Sequence, residues 1–219
     1  MAMRSFRQHL GKNGKLDDMR VAPPSRSVLS RLDEGVSKFE IDLDDIYLDN
    51  PPLNSSKRAQ YELEELAKLT RSECNTALIE TPILALVGGV LDEHGVYIPE
   101  PSRKRMIGVL YDVRTACLSL QYHHGRVRPR TLAEVYGIKL PPTYCEKDTT
   151  PSYPSTRSTQ FSFLALYLGE RFPNHEEDFI KLSEDLDRSL MSSALHYRSD
   201  IESSHELARY LFNALKRKM

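Results

Sequence analysis

The 219-residue sequence lacks tryptophan and has only three cysteines, Cys74, Cys117 and Cys145. Three widely spaced cysteines make neither a disulfide framework nor a paired-cysteine metal motif, so they are typical of reduced thiols in an intracellular or virion-associated protein. No long uncharged apolar run occurs, which excludes a transmembrane helix. The basic start has no apolar segment of the kind found in secretory signal peptides, so we expect no export by that route.

An excess of charge of one sign is also missing. Lys and Arg total 30 and Asp and Glu total 31, which leaves a formal net charge of -1. Because general binding to nucleic acid or to an anionic membrane surface requires a basic excess, the composition argues against both partners. The chain is long enough for one domain with a tail and short for two domains.

Residues 1–45 form a polar arm without hydrophobic periodicity, in which basic residues come first and acidic residues follow. An arm with both signs of charge is usually a solvated extension, and the alternative is a segment that docks on a neighbouring chain. We favour docking, and we therefore expect other protein chains as partners, in a homo-oligomer or a larger assembly. Residues 46–219 are assigned to one helical domain.

Apolar residues at steps of three and four predict helices from residue 57 onward. The first helix, KRAQYELEELAKL, places Tyr61 on its apolar face, and a later long helix, capped by Ser102, places Ile107 on its core face. Between them, Pro82 must lie in the first turn of a helix over 76–90 or kink it. Turn-forming residues predict a loop over 139–154.

Three further helical runs are predicted after this loop, namely Thr159 to about Arg171, Glu176 to Leu195, and Ile201 to Lys216. No segment alternates with period two for long, so strands are not expected. The predicted class is all-α, a bundle of about six helices.

Arg, Ser and His are concentrated in three segments, RVRPRTLAE from Arg126, PSYPSTRST from Pro151 and SLMSSALHYRSD from Ser189. Arginine binds phosphate oxygens in a forked geometry, and the N-terminus of a helix offers free N–H groups to the same anion. Ser155, Thr156 and Arg157 precede a helical run, where an anion would bind. His196 and Asp200 are four residues apart, so that on one helix the carboxylate can hold a neutral imidazole in one tautomer. A purely structural role is the commoner one for such a pair.

The order and spacing of these segments resemble the superfamily of class A bacterial acid phosphatases, type 2 phosphatidic acid phosphatases and vanadium-dependent haloperoxidases. The signature of that superfamily reads Lys-x6-Arg-Pro, Pro-Ser-Gly-His and Ser-Arg-x5-His-x3-Asp. The matching segments here are Arg128-Pro129, Pro154-Ser155-Thr156-Arg157 and Ser189-Leu190-x5-His196-x3-Asp200. The resemblance covers roughly residues 45–216. It implies the helical bundle of that superfamily, with phosphate bound by Arg128, Ser155, Thr156 and Arg157, and with His196 as a nucleophile that Asp200 orients.

Several positions depart from the signature: Gln121 replaces the Lys, Thr156 the Gly, Arg157 the general-acid His, and Leu190 the second Arg. Arginine cannot donate a proton near neutral pH, so a general-acid contribution of roughly 10²–10⁴ would be lost. Leu190 removes a charge that would stabilise the transferring phosphoryl group.

The sequence therefore predicts an eroded catalytic site in a protein that serves as a structural or binding component of a larger assembly, such as a virus particle. The alternative is a weakly active or specialised phosphomonoesterase that works through a phosphohistidine at His196. Haloperoxidase activity with bound vanadate would need the complete set of cations, so the departures oppose it.

The remaining histidines show no metal-binding pattern. His123 and His124 end a predicted helix without a carboxylate or Cys at ligand spacing, His94 lies in a predicted turn, and His205 lies on the last helix without a motif. The acidic run over 42–49 lacks the central Gly of a calcium loop. The sequence thus predicts neither a metal ion nor a cofactor.

Overall fold

The computed structural model describes residues 16–39, 46–69, 74–141 and 150–217. Within these ranges the regular structure is helical and no strand occurs, which confirms the predicted all-α class. The helices in chain order are α1 Arg26–Glu34, α2 Lys57–Lys68, α3 Thr76–Glu80, α4 Ile83–Glu93, α5 Glu100–His124, α6 Pro129–Tyr136, α7 Thr156–Arg171, α8 Glu176–Ser192 and α9 Arg198–Lys216. Short 3-10 turns cover Leu16–Asp18 and Pro173–His175.

The main hydrophobic core lies where α7 packs against α5, α8 and α9. Leu164 on α7, Leu186 on α8 and Leu207 on α9 are each at most 1% exposed. Burial of one such leucine contributes about 1.5–3 kcal/mol, so these contacts hold the three C-terminal helices together. The residues of the signature segments lie at the ends of these helices and at the start of α6.

A second, smaller core joins α2 and α6 through Leu63, Leu66 and Leu132, which pack with Tyr197 at the start of α9. Pro129 begins α6, as is favourable at a position whose N–H has no helical partner. Met191 on α8 packs against both cores.

The described part of the N-terminal arm packs on its own chain. Met19 and Phe39 are each 2% exposed, and the N–H of Lys38 donates to Oδ2 of Asp112 over 2.6 Å. Asp17 accepts hydrogen bonds from the N–H and the hydroxyl of Ser55. The arm therefore contributes to the core, although its sequence has no hydrophobic period. Residues 1–15 and 40–45 lie outside the described residues.

Several helix boundaries differ from those predicted. The expected helix over 76–90 is divided into α3 and α4 at Thr81-Pro82, because proline lacks an N–H and its ring opposes helical backbone at the preceding residue. Ser102 does not cap α5, which begins at Glu100. The described parts of the predicted loop, 139–141 and 150–154, are not helical; residues 142–149 lie outside the described residues.

Two side chains predicted on apolar faces are exposed: Tyr61 by 62% and Ile107 by 49%. On α2 the buried face is formed by Leu63 and Leu66, as the apolar spacing of this helix predicts, and by the carboxylate of Glu62, which pairs with Arg126. On α5 the neighbouring Met106 takes the buried position. No helix in the described ranges is both long enough and apolar enough to cross a membrane.

Candidate functional site

The three signature segments converge on one pocket of about 340 Å³. Arg128 reaches it from the start of α6, Thr156 and Arg157 from the first turn of α7, and His196 from the turn before α9. The other lining residues are Ile79, Arg114, Leu118, Gln121, Thr150, Leu190 and Leu195. The volume lies within the usual range of small-molecule sites. The structure thus brings residues of all three segments to one pocket.

His196 has contacts that define one neutral tautomer. Its Nδ1 lies 3.0 Å from the carbonyl oxygen of Ser152, which can only accept a hydrogen bond, so Nδ1 carries the proton. Its Nε2 lies 2.9 Å from Nη1 of Arg128, which can only donate, so Nε2 is the acceptor. The lone pair of the imidazole is thus directed to the pocket side, at Arg128.

Asp200 is completely buried, and its carboxylate contacts three neighbouring residues. Its Oδ2 lies 3.4 Å from Nδ1 of His196 and accepts the backbone N–H of Tyr197 over 3.0 Å, which closes a capping box at the start of α9. Its Oδ1 lies 2.6 Å from Nη1 of Arg126. Burial raises the pKa of Asp200, but Arg126 and the hydrogen bond with His196 outweigh burial, so the pKa lies below its ordinary value. The carboxylate is therefore ionised and orients the imidazole.

Arg126 is the main residue of this site that sequence reasoning missed. Its side chain is 2% exposed, its Nη2 pairs with Glu62 over 2.8 Å, and its guanidinium carbon lies 3.8 Å from the ring centroid of Tyr197. Burial opposes its charge, but Asp200 and Glu62 raise the pKa of Arg126 above its ordinary value. Arg126 belongs to an Arg-rich segment that the sequence shows, but its partner Glu62 is far from it in the sequence, on α2, so the ion pair could not be predicted.

Arg128 lies at the centre of a network of hydrogen bonds. Its Nε and Nη2 donate to the carbonyl and hydroxyl oxygens of Thr150, both over 2.9 Å. Its Nη1 donates to the carbonyl oxygen of Leu195 over 2.9 Å, in addition to Nε2 of His196. The guanidinium is therefore fixed directly beside the imidazole, where an anion that contacts one would contact the other.

The turn after α8 brings Leu195 and His196 to this position. The N–H of Leu195 donates to the carbonyl of Leu190 and the N–H of Ala194 to that of Met191, which is a Schellman ending. Ala194 has a φ of 53°, a left-handed conformation that normally favours glycine. A backbone in this conformation redirects the chain sharply, so that His196 follows within two residues.

Arg157, which replaces the general-acid histidine of the signature, lines the pocket and donates its hydrogen bonds to backbone carbonyls of α3 and of the residue that follows it. Its Nε donates to the carbonyl oxygen of Leu78 over 3.0 Å, and its Nη2 donates to the carbonyl oxygens of Leu78 and Thr81. These carbonyls lie at the end of α3, where a cation is favourable. Arg157 thus adds positive charge to the pocket and fastens α3 to α7.

Gln121 and Leu190, two more of the four replaced positions, also lie at the pocket. Gln121 is buried, and its Nε2 donates to the carbonyl oxygen of Pro154 over 2.8 Å, so it supports the loop before α7. Leu190 is 2% exposed and belongs to the main core as well as to the pocket lining. Neither side chain supplies a charge for an anion.

Ser155 is placed differently from the rest of the predicted phosphate set. It is fully buried, and its Oγ accepts the N–H of Ser158 over 3.3 Å, so it is the N-cap of α7. It is not one of the residues that line the pocket. Thr156 does line it, at the first position of the helix.

Arg114 on α5 was not singled out from the sequence, yet it lines the pocket. It shares a face of α5 with Leu118 and Gln121 at steps of four and three residues, and that spacing was the available signal. The described lining thus contains three arginines, Arg114, Arg128 and Arg157, and no carboxylate. Its single side chain of a common metal-binding type is His196, so the lining suits an anion better than a cation.

Comparison with protein-family models and with curated proteins gives no match for this sequence.

Proposed function

We propose that this chain is an acid-phosphatase-like protein that binds a phosphate-like anion beside His196 without turning it over, as a binding or structural component of a larger assembly. The observation that carries the proposal is the charge of the pocket, which Arg114, Arg128 and Arg157 line together with a neutral imidazole and whose described lining has no carboxylate. Guanidinium groups bind phosphate oxygens through paired, charge-assisted hydrogen bonds.

Lack of turnover follows from the chemistry of two positions. Arg157 retains its proton at neutral pH and donates to the carbonyls of α3, so it cannot protonate a leaving alkoxide. Leu190 offers no hydrogen bond to the transferring group, although stabilisation of that group is usually the largest part of phosphoryl-transfer catalysis. An anion would be held in this pocket more readily than it would be cleaved.

The alternative proposal is a phosphomonoesterase that forms a phosphohistidine on Nε2 of His196. The contact of Nδ1 with Ser152 and Asp200 favours it, because that contact leaves the lone pair on Nε2, as a nucleophile requires. Attack on phosphorus would require Nε2 of His196 to lose the hydrogen bond from Nη1 of Arg128, and that N–H would then donate to a phosphoryl oxygen. Aryl phosphates, whose leaving groups need no general acid, would be the best substrates.

Hydrolysis of an aryl phosphate from acid to neutral pH separates the two proposals. We expect the full chain and His196→Ala to show the same background rate. Turnover that His196→Ala abolishes would establish the phosphohistidine enzyme and overturn the first proposal.

Calorimetric titration with inorganic phosphate tests anion binding directly. Arg114→Met should weaken binding at least about tenfold, since a hydrogen bond to a charged group contributes roughly 1.5–3 kcal/mol. Arg188→Met is the matched control, because Arg188 is also an exposed arginine but pairs with Asp185 on α8. Equal effects of the two substitutions, or no binding by the unmodified chain, would refute a specific anion site.

We base membership in an assembly on the arm of residues 1–45, which carries both signs of charge. The same proposal includes an intracellular or virion-associated location. Light scattering should give a larger mass for the full chain than for a chain without residues 1–15. This deletion spares Met19 and Phe39, which are buried in the folded domain. Identical monomers would show that residues 1–15 bind no neighbouring chain.

A further inference from the structure

A cluster of His94, His175 and Asp178 lies where the end of α4 meets the start of α8. His94 follows the last turn of α4 and precedes Gly95, whose φ of 66° turns the chain. His175 ends a 3-10 turn, and Asp178 lies in the first turn of α8. The fold thus brings together three side chains of types that bind metal ions, although His94 is distant in sequence from the other two. None of the three residues lines the pocket around His196.

The distances within the cluster match those of ligands around one small metal ion. Oδ2 of Asp178 lies 3.0 Å from Nε2 of His94 and 3.7 Å from Nδ1 of His175, and each residue offers a ligand atom within 4.8 Å of the others. Tetrahedral coordination with metal–ligand bonds of about 2.0–2.2 Å requires separations of about 3.3 Å between ligand atoms. The two separations from Oδ2 of Asp178 lie on either side of this value.

The two imidazole rings lie close together. The ring centroids of His94 and His175 lie 4.2 Å apart with an angle of 31° between the planes. Both imidazoles approach the same carboxylate oxygen, so a cation placed among the three groups would receive two nitrogen donors and one oxygen donor. The side chains are 23–44% exposed, which leaves solvent access for a water molecule as the fourth ligand.

We propose that His94, His175 and Asp178 form a binding site for a divalent transition-metal ion of the zinc class. Two imidazoles and one carboxylate are a donor set that zinc accepts, and harder ions such as Mg²⁺ and Ca²⁺ prefer oxygen donors throughout. The ion would join the C-terminal end of α4 to the N-terminal end of α8. Because the unfolded chain does not hold these ligands together, binding would stabilise the fold. The site is independent of the proposed anion pocket.

The test is a calorimetric titration of the full, untagged chain with Zn²⁺, with Co²⁺ absorption as a second reading of coordination geometry. We expect one ion per chain, and at least about tenfold weaker binding in His94→Ala, His175→Ala and Asp178→Asn, since even groups that only orient a metal ligand often contribute that much. The melting temperature of the unmodified chain should rise with Zn²⁺, and that of the variants should not.

His205→Ala is the matched control, because His205 also pairs with an aspartate, Asp187 at 2.7 Å, but has no second histidine in that pair. It should bind Zn²⁺ as the unmodified chain does. Absence of saturable binding, or binding that the three variants retain, would overturn the proposal. Because the three side chains are partly exposed, we expect the variants to fold, and circular dichroism measures their helix content. Asp178→Asn keeps the shape of the side chain, so it tests the site with the smallest structural change.

Discussion

Nη1 of Arg126 lies 2.6 Å from Oδ1 of Asp200, and both side chains are at most 2% exposed. This ion pair connects the segment before α6 with the first turn of α9, and Glu62 extends it to α2. The same carboxylate that orients His196 is therefore part of a structural network between three helical segments.

Arg126→Met should lower the free energy of unfolding by about 3–5 kcal/mol, because it leaves Glu62 and Asp200 buried without their cation. Urea denaturation measures the effect. As a control, Arg198→Met removes an arginine that is 52% exposed and pairs with Glu65, so it should cost only about 0–1 kcal/mol. A loss below about 1 kcal/mol for Arg126→Met would contradict the structural role of the network.

Leu190→Ala should destabilise the protein by about 2–5 kcal/mol, because Leu190 is buried in the main core as well as lining the pocket. Thermal unfolding followed by circular dichroism would measure the change. Leu29→Ala is the matched control: Leu29 is 47% exposed on α1, so its truncation should stay near 0.5 kcal/mol, an order-of-magnitude value for surface sites. Similar losses in both variants would argue against a core role for Leu190.

Ser155→Ala should cost about 1 kcal/mol, since it removes the hydroxyl that accepts the N–H of Ser158 at the start of α7. Chemical denaturation would compare it with Ser102→Ala, which alters a serine inside the first turn of α5 and should have little effect. If Ser102→Ala proved the more damaging change, the helix starts described here would be wrong.

Stability should depend on pH through His124. Burial and, to a smaller extent, the neighbouring His123 together lower the pKa of His124 from 6.5 to about 4. The unfolded chain therefore takes up this proton at higher pH than the folded chain. The contribution of His124 is complete above pH 6.5 and is lost as the pH falls toward about 4.

His124→Phe should flatten this part of the stability profile, and it keeps an aromatic ring beside Tyr153, whose centroid lies 5.0 Å away. Denaturation measured between pH 6.5 and about 4 tests the expectation. His123→Gln should keep most of the slope, because burial is the larger cause of the shift. An unchanged slope in His124→Phe would assign the pH dependence to other groups.

The grouping of Arg128-Pro129 with His196-x3-Asp200 was implied by the resemblance to the superfamily signature, since each segment alone carries only local information such as a helix start. The expectation that one helix runs through His196 and Asp200 was wrong, because α9 begins at Arg198 and Asp200 lies in its first turn. The division of the helix at Pro82 follows from the geometry of proline. Periodicity failed for Tyr61 and Ile107, since it identifies an apolar stripe but not the neighbouring helix that would cover it. The role of Arg126 required Glu62 on α2, and burial of Met19 required α2 beneath the arm; both are contacts between distant segments.

The three contacts of Asp200 give this residue a role that does not depend on any chemistry in the pocket. Loss of Asp200 would break the capping box of α9 and would leave Arg126 with Glu62 as its remaining carboxylate partner. The stability of this helix start is therefore a sufficient reason for an aspartate at this position, and the His-x3-Asp spacing alone does not establish a reaction.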